Sequence, residues 1–457
     1  MSNNHCEELY ISYLFPPSNQ TSGITVFKRI VKNNEKVDVL QGDFKPSDKL
    51  DDLIDSYVDK RYFISVDGTM DWTCFIFDFV QKGLKEIHYD YKKIYSRSWL
   101  MANHYLAWAY KYNHNQVFWT AEFSDPLIYD INNHPRQFKQ MIIDDEEFIS
   151  KVNQKIEEFN KKNNHDFPLI ENNSSSYFIA EYLVYLFADK IIFTNENQQE
   201  IMLNQFPVDI KDLVLNKSEI KMHPTLDESF YHIKNVNLNI DDSLINIAYF
   251  GNDYYSKRHF EALFYAVESL NHKFKNKLKI YLYISEDSLV EKLVPSDIFV
   301  VKKPLNYLEF LNALTKFDVL IINDLVTKNN FDINPYLPSK LSDYSGSKSD
   351  IWALYESGSS LSKLDFKYKS NIEDYDDCLK ELVSILEDNG YIDRDYSINK
   401  DYLNFRFTVL NSLYEEEFRK NKKLEREIQG LNVENNLIKS SNSWKVTKPL
   451  RNLKDKL

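Results

Sequence analysis

The chain has 457 residues, 43% of them hydrophobic and 15% aromatic, enough for two or three domains with large buried cores, which excludes wholesale disorder. Its formal net charge of −13 disfavours a general nucleic-acid binder. Cys6, Cys74 and Cys378 are odd in number and far apart, so neither a disulfide framework nor a metal site is expected, and a cytoplasmic protein is. The N-terminus carries no basic segment followed by a long apolar run. The most apolar helix-like stretch, 178–188, is short and contains Glu181, so neither a signal peptide nor a membrane span is expected.

Strand and helix patterns alternate from the start. Strands are expected at Leu9–Leu14, Val37–Leu40, Tyr62–Val66, Ile87–Tyr89, Val117–Thr120, Lys190–Thr194 and Ile220–His223. Helices are expected at 22–32, 71–83, 96–112, 145–162 and 174–188. A polar stretch, 224–243, reads as a linker. A second series follows, with strands at Ile245–Phe250, Leu278–Ile284, Ile298–Val301, Val319–Ile322 and Ile351–Leu354. Its helices are expected at 256–274, 306–315, 338–345 and 373–388. Such alternation predicts an α/β fold of two doubly wound, Rossmann-like domains, 1–225 and 226–395, with ligands at the strand carboxyl ends facing a cleft. An aromatic helix at 396–418 and a tail at 419–457 complete the chain. The tail holds eleven Lys/Arg against four Asp/Glu, and Leu424, Ile428, Leu431, Asn435 and Ile438 make a short heptad seam. That pattern suits a homodimer through 419–438, and the basic cluster beyond it, with Trp444, suits an anionic membrane surface. A solvated basic extension is the plainer alternative.

Four segments could carry chemistry. Gly251 and Asn252 end a strand, and Lys257 and Arg258 follow where a helix should begin. A glycine admits a ligand close to the backbone, and two cations beside a helix N-terminus suit a diphosphate. The same residues would also make an ordinary strand–helix turn. Pro338, Ser339 and Lys340 open a short helix. Lys340 can meet a phosphate, and Asp343, one turn on, can accept from a ribose diol. Its plainer reading is a capped amphipathic helix with Leu341 and Tyr344 inward. Glu122 and Asp125 sit where a strand runs into a loop, and loop acids there can position a sugar or accept a proton; Asp125-Pro126 can equally be a turn. Thr21, Ser22 and Gly23 close an irregular loop after the first strand. No Gly-x-Gly-x-x-Gly, Walker loop or Gly-x-Ser-x-Gly is present, which disfavours nicotinamide, ATP-hydrolysing and serine-hydrolase chemistry.

Taken together, these segments resemble GT-B glycosyltransferases of the retaining family 4 group, over roughly residues 8–420. Pro338-Ser339-Lys340-Leu341-Ser342-Asp343-Tyr344 resembles their nucleotide-binding helix, and Gly251–Arg258 the turn that presents a basic pair to the donor diphosphate. Ala188–Asn195 resembles the strand closing the first domain, Phe15–Gly23 occupies the place of the acceptor-side loop, and Glu122 and Asp125 the place of polar residues near the reacting sugar. The tail Ser443–Arg451 is similar to tails on bacterial polysaccharide glycosyltransferases. The resemblance implies metal-independent transfer, with retention and no cofactor, from a nucleotide-sugar donor to a cell-envelope glycan, polymer or lipid-linked acceptor. Transfer would take place in the cytoplasm or at the inner membrane face. Gly251, Asn252, Lys257, Arg258, Pro338, Ser339, Lys340, Asp343 and Tyr344 would bind the donor; Glu122, Asp125, Lys257 and Arg258 would act in catalysis. The family often has two glutamates separated by seven residues. Here Asp343 matches the second, and Pro335 stands where the first would be. A catalytically reduced subunit that positions a partner enzyme is the alternative.

Overall fold

The computed structural model describes residues 6–44, 50–251, 257–270, 272–285, 294, 296–391 and 423. Asn252, the helix expected at 396–418 and the seam and basic cluster of the tail lie outside them. Residues 1–267 and 272–394 form one compact unit; residues 268–271 with 395–457 form the other.

The first sheet is all parallel, in the order β3-β2-β1-β4-β5-β6-β7. Its strands are β1 (Glu8–Ile11), β2 (Val37–Gly42), β3 (Val58–Ile64), β4 (Lys93–Ser98), β5 (Phe118–Phe123), β6 (Lys190–Phe193) and β7 (Ser218–Ile220). The second sheet, also parallel, runs β10-β9-β8-β11-β12-β13. It uses β8 (Ile245–Phe250), β9 (Leu278–Tyr283), β10 (Phe299–Lys302), β11 (Val319–Asn323), β12 (Asp350–Tyr355) and β13 (Tyr368–Asn371). Each sheet reverses its winding beside its first strand, the order of a Rossmann domain. In the second sheet the central strands β8 and β11 are buried at every position, because helices cover both faces.

The helices of the first domain are α1 (Thr21–Asn33), α2 (Leu50–Ile54), α3 (Thr73–Glu86), α4 (Ala102–Asn113), α5 (Glu146–Asn163), α6 (Ser176–Phe187), α7 (Glu196–Leu203) and α8 (Val208–Leu215). Local chemistry sets their ends. Asp145 caps α5 by accepting from Phe148 N–H at 2.9 Å, acids fill its first turn, Lys161 and Lys162 its last, and Asn164 leaves in the left-handed region. In the second domain lie α9 (Glu261–Ser269), α10 (His272–Lys275), α11 (Tyr307–Leu314), α12 (Leu341–Tyr344) and α13 (Tyr375–Asp388). One apolar core lies between the first sheet and α3, α4 and α6. The other begins under α1 and continues into the second domain through Phe230, Tyr231, Leu341 and Tyr344.

Several expectations need correction. Ile87–Tyr89 is no strand; Ile87 ends α3, and the strand lies at Lys93–Ser98, its last three residues inside the helix expected over 96–112. Its Ser96, Arg97 and Ser98 are buried polar residues, so the strand lacks an apolar signature. The stretch 224–243 is more than a linker: Phe230 and Tyr231 sit in a 3-10 turn, Glu228–His232, and are buried. The helix expected from 256 starts at Glu261, and the one expected over 338–345 is only Leu341–Tyr344. α7, α8 and β13 did not register in the sequence pattern. Among the described residues, no helix is long and apolar enough to cross a membrane.

Candidate active site

The carboxyl ends of β8, β11 and β12 are tied to one another. Gly251 N–H still pairs with the Tyr283 carbonyl at 3.0 Å, and Val326 N–H, beyond β11, donates to the Lys257 carbonyl at 2.8 Å. Asp324, directly after β11, accepts from Glu356 N–H at 3.0 Å and from Ser359 Oγ at 2.6 Å. Glu356, directly after β12, accepts at one oxygen from the Thr327 and Lys328 amides and at the other from Thr327 Oγ1 and Asn334 Nδ2. Burial pushes Asp324 up to about 7, against the pull of these hydrogen bonds and of Arg258. Its Oδ1 is buried and makes no hydrogen bond among the described residues. Neither acid was singled out from the sequence; the signal was available, since each follows an apolar strand directly.

Lys257 and Arg258 lie in the turn before α9, not at its first residues, and both are half-buried. With the Asn330 amide turned so that both of its polar atoms are satisfied, its oxygen accepts from Lys257 Nζ at 3.0 Å. Burial lowers its pKa while Asp130 and Glu356 oppose the shift. Lys340 stands nearby. It keeps some exposed surface, yet its surroundings are crowded enough to push its pKa down to about 8, first through desolvation and then through the Arg258 guanidinium. Among the described residues, Lys340 makes no ion pair; Asp343 is the acid whose field offsets part of the shift. A desolvated ammonium within the field of a guanidinium is a place where an anion would be welcome.

Pro338 is buried and Ser339 half-buried. The Pro338 carbonyl accepts from Leu341 N–H at 3.1 Å, and the Ser339 carbonyl from Ser342 Oγ at 3.0 Å. Tyr344 corrects an expectation. Its ring is 1% exposed, and its hydroxyl accepts from Phe250 N–H at 3.2 Å, so it props the short helix against the end of β8 and has no surface for a ligand. The carboxylate of Asp343 is held at Oδ1 by Lys28 Nζ and by the Tyr307 hydroxyl, each at 3.0 Å. Pro335, at the place of the absent acid, gives its carbonyl to Asn195 Nδ2 at 3.1 Å, so this position joins the two domains.

On the first domain, Glu122 is fully buried and clasped by Arg29 and Arg97, and it accepts from the Tyr95 hydroxyl at 2.7 Å. Although burial alone would raise its pKa, the two guanidinium groups bring it down to about 2. A carboxylate so stabilised does not take up a proton near neutral pH, which corrects the expectation of a proton acceptor. Arg97 extends the network, donating to Ser22 Oγ at 2.8 Å and to His223 Nε2 at 3.0 Å. Burial and Arg97 keep His223 well below its ordinary pKa, hence neutral and able to accept. Ser22 is thus engaged by protein. Gly23 is structural, since a Cβ there would lie 1.8 Å from the Leu14 carbonyl oxygen. Thr21 is exposed at the start of α1. Asp125 is half-buried, and its charge acts on the Tyr336 hydroxyl of the second domain, together with Asp130 and Arg136.

The structure also assembles a group that spacing did not foretell. Ligand atoms of Cys6, Asp38 and Asp59 lie within 4.8 Å of one another, at the amino ends of β1, β2 and β3 and away from the candidate donor site. Burial and the two acids push the Cys6 thiol up to about 11, and Asp38 already accepts from the Tyr91 hydroxyl. A cavity of about 440 Å³ lined by Glu228, His232, Asp318 and Asp350 opens at the amino ends of β11 and β12, again away from the strand ends that matter here.

No family model and no curated protein matches the sequence. Solved structures do match. An α,α-trehalose-phosphate synthase (UDP-forming) from Burkholderia xenovorans, in complex with glucose-6-phosphate, is 9% identical with a TM-score of 0.52, covering 92% of this chain and all of that one. The trehalose-6-phosphate protein from E. coli bound with UDP-2-fluoro glucose is 10% identical with a TM-score of 0.50, covering 93% and 98%. At such identity the likeness is one of architecture: two Rossmann-like domains joined in sequence order, with their cleft-facing strand ends carrying the residues above, give this chain the GT-B fold.

Proposed function

We propose that this protein is a glycosyltransferase that takes a sugar from a nucleotide-sugar donor and transfers it to a glycan, polymer or lipid-linked acceptor of the cell envelope. The observation that carries this reading is Lys340, desolvated and within the field of Arg258, without an ion-pair partner among the described residues and one turn from Asp343. A diphosphate would relieve the repulsion between these cations, Lys257 would add a third, and Asp343 would accept from the ribose diol. Ser339, Gly251 and Asn252 would line the same donor. Of the similar structures above, one is of a UDP-forming synthase and the other is bound with UDP-2-fluoro glucose, which makes uridine donors the first to try.

Transfer breaks the bond between the sugar C1 and the diphosphate oxygen and forms one from C1 to an acceptor hydroxyl oxygen. The leaving diphosphate takes the bonding electron pair, and the cations stabilise that charge as it develops. The acceptor proton goes to Asp125, the half-buried acid on the opposite domain. Arrival of the acceptor on the face the diphosphate leaves would retain configuration. Thr21, exposed at the start of α1, would border the acceptor.

A second reading has one observation in its favour. Pro335 stands in place of an acid and is committed to Asn195 of the other domain, which suits a subunit that binds a donor without turning it over. Incubating the purified protein with a panel of nucleotide sugars and measuring released nucleoside diphosphate separates the two: binding with release supports the enzyme, binding without release the subunit. A folded protein that binds no nucleotide sugar sinks both. The basic tail, 419–457, we assign to pairing of protomers and attachment to an anionic membrane surface. Its deletion should lower both solution mass and retention on phosphatidylserine vesicles.

A further inference from the structure

Lys28 belongs to α1 of the first domain, yet its ammonium is spent on the second. Nζ lies 2.6 Å from Ser342 Oγ and 3.0 Å from Asp343 Oδ1, with side-chain exposures of 2% for Lys28 and 8% for Asp343. The Tyr307 hydroxyl donates to the same Oδ1 at 3.0 Å, and the Tyr231 hydroxyl donates to the Asp343 main-chain carbonyl at 2.6 Å. One carboxylate oxygen is therefore fixed from two sides and the backbone behind it from a third. The other oxygen, Oδ2, has no hydrogen bond among the described residues, and the side chain retains its small exposed share.

Burying a lysine and an aspartate costs several kcal/mol of hydration, and an apolar pair would hold two domains together at least as well. A buried ion pair differs from an apolar contact in that it sets direction. We propose that Lys28 is a positioning residue for the donor site: by holding Oδ1 of Asp343 it aims Oδ2 at the ribose diol of a nucleoside diphosphate, so that the donor site is complete only when the two domains meet. The inference rests on the reading that Asp343 binds the donor. It adds that the acceptor-side domain supplies part of the donor site's geometry, so that parting the domains would hydrate both charges and free the carboxylate to turn. A ligand that prefers the oriented carboxylate would in return favour closure.

The test uses the full-length protein, calorimetric titration with UDP, ADP and GDP, and donor kinetics on any nucleotide sugar turned over. Lys28→Met should raise Kd for the nucleoside diphosphate that binds by about tenfold, the worth of one charge-assisted hydrogen bond. The loss should appear in KM for the donor rather than in kcat. Lys28→Arg, which restores a cation, should recover most of it, an outcome that lost packing alone would not give. In an Asp343→Asn background, Lys28→Met should add nothing. Should Lys28→Met fail to fold, Tyr307→Phe removes only a hydroxyl from the same oxygen and should weaken binding about threefold. Weak binding by Asp343→Asn beside unchanged binding by Lys28→Met and Tyr307→Phe overturns this inference and leaves the donor reading standing. A Lys28→Met loss that persists in the Asp343→Asn background also overturns it. Unchanged binding by Asp343→Asn removes the donor reading at that residue and this inference with it.

Discussion

Arg29 Nε lies 2.9 Å from Oε2 of Glu122, and neither side chain has more than 5% of its surface exposed. Arg97 holds the other oxygen at 3.0 Å, so the acid is neutralised before any ligand arrives. Replacing Glu122 by Gln leaves two buried guanidinium groups uncompensated and should cost roughly 3–5 kcal/mol of stability. The pKa of Glu122 is depressed to about 2, below its unfolded value, so its contribution is present above the ordinary carboxylate range and is lost as pH falls toward 2. Melting temperatures should therefore differ widely between Glu122→Gln and the parent at pH 7, less at pH 3, and converge only as pH reaches about 2. Equal melting at pH 7 would show that the clasp is not structural.

Lys340→Met should do the opposite to stability. Removing a desolvated cation that the Arg258 charge disfavours should leave the melting temperature at pH 7 unchanged or higher, while affinity for a nucleoside diphosphate falls at least about tenfold. In the parent protein, whose Lys340 titrates at about 8, affinity should decline as pH rises from 7 to 9. Titration calorimetry across that range checks both statements, and a flat profile in the parent would argue against Lys340 as a phosphate contact.

Asp324 titrates at about 7 in the folded protein, above its unfolded value of roughly 4. The folded state therefore holds the proton longer, and its stability falls as pH climbs from 4 to 7. Asp324→Asn should remove that slope, which is worth on the order of 3–4 kcal/mol at its upper bound. Denaturant midpoints at pH 5 and pH 8 should differ less in the variant than in the parent. Parallel profiles would mean that Asp324 is ionised throughout.

Transfer should persist after treatment with EDTA, because Lys257, Arg258 and Lys340 would together neutralise the leaving diphosphate. Lys257→Ala and Arg258→Ala should each slow transfer and weaken donor binding, with circular dichroism unchanged. An activity that EDTA abolishes and manganese restores would assign that neutralisation to a metal ion instead.

The two-domain α/β organisation was legible in the chain because strand and helix periods are local. Ile245–Phe250 was delimited to the residue, and the strands at Leu278, Phe299 and Val319 came within one position at either end. Position at a strand end was legible for the same reason: Gly251 directly follows β8, and Lys257 and Arg258 stand in the turn before α9. The strand at Lys93–Ser98 was not, because buried Ser96, Arg97 and Ser98 interrupt the apolar pattern with polar groups, of which Ser96 finds its partner in His104 and Arg97 in Glu122 only in the folded protein.

Side-chain partnership belongs to the tertiary structure. Lys28 and Asp343 are 315 residues apart, Arg29 and Glu122 are 93 apart, and no local period links either pair. From the sequence, Glu122 and Asp125 look equivalent, two acids on one loop. Folding separates them: Glu122 faces inward on β5, meets two arginines and is locked in its charged form, whereas Asp125 lies beyond the strand end, half-buried, facing the other domain. The amino-acid order determined which residue types stand at the ends of the strands. Which of those charges are neutralised within the protein, and which are left to meet a ligand, depends on distances that arise only when the two sheets and α1 come together, since Coulombic and hydrogen-bonding terms act over a few ångströms of space rather than along the chain.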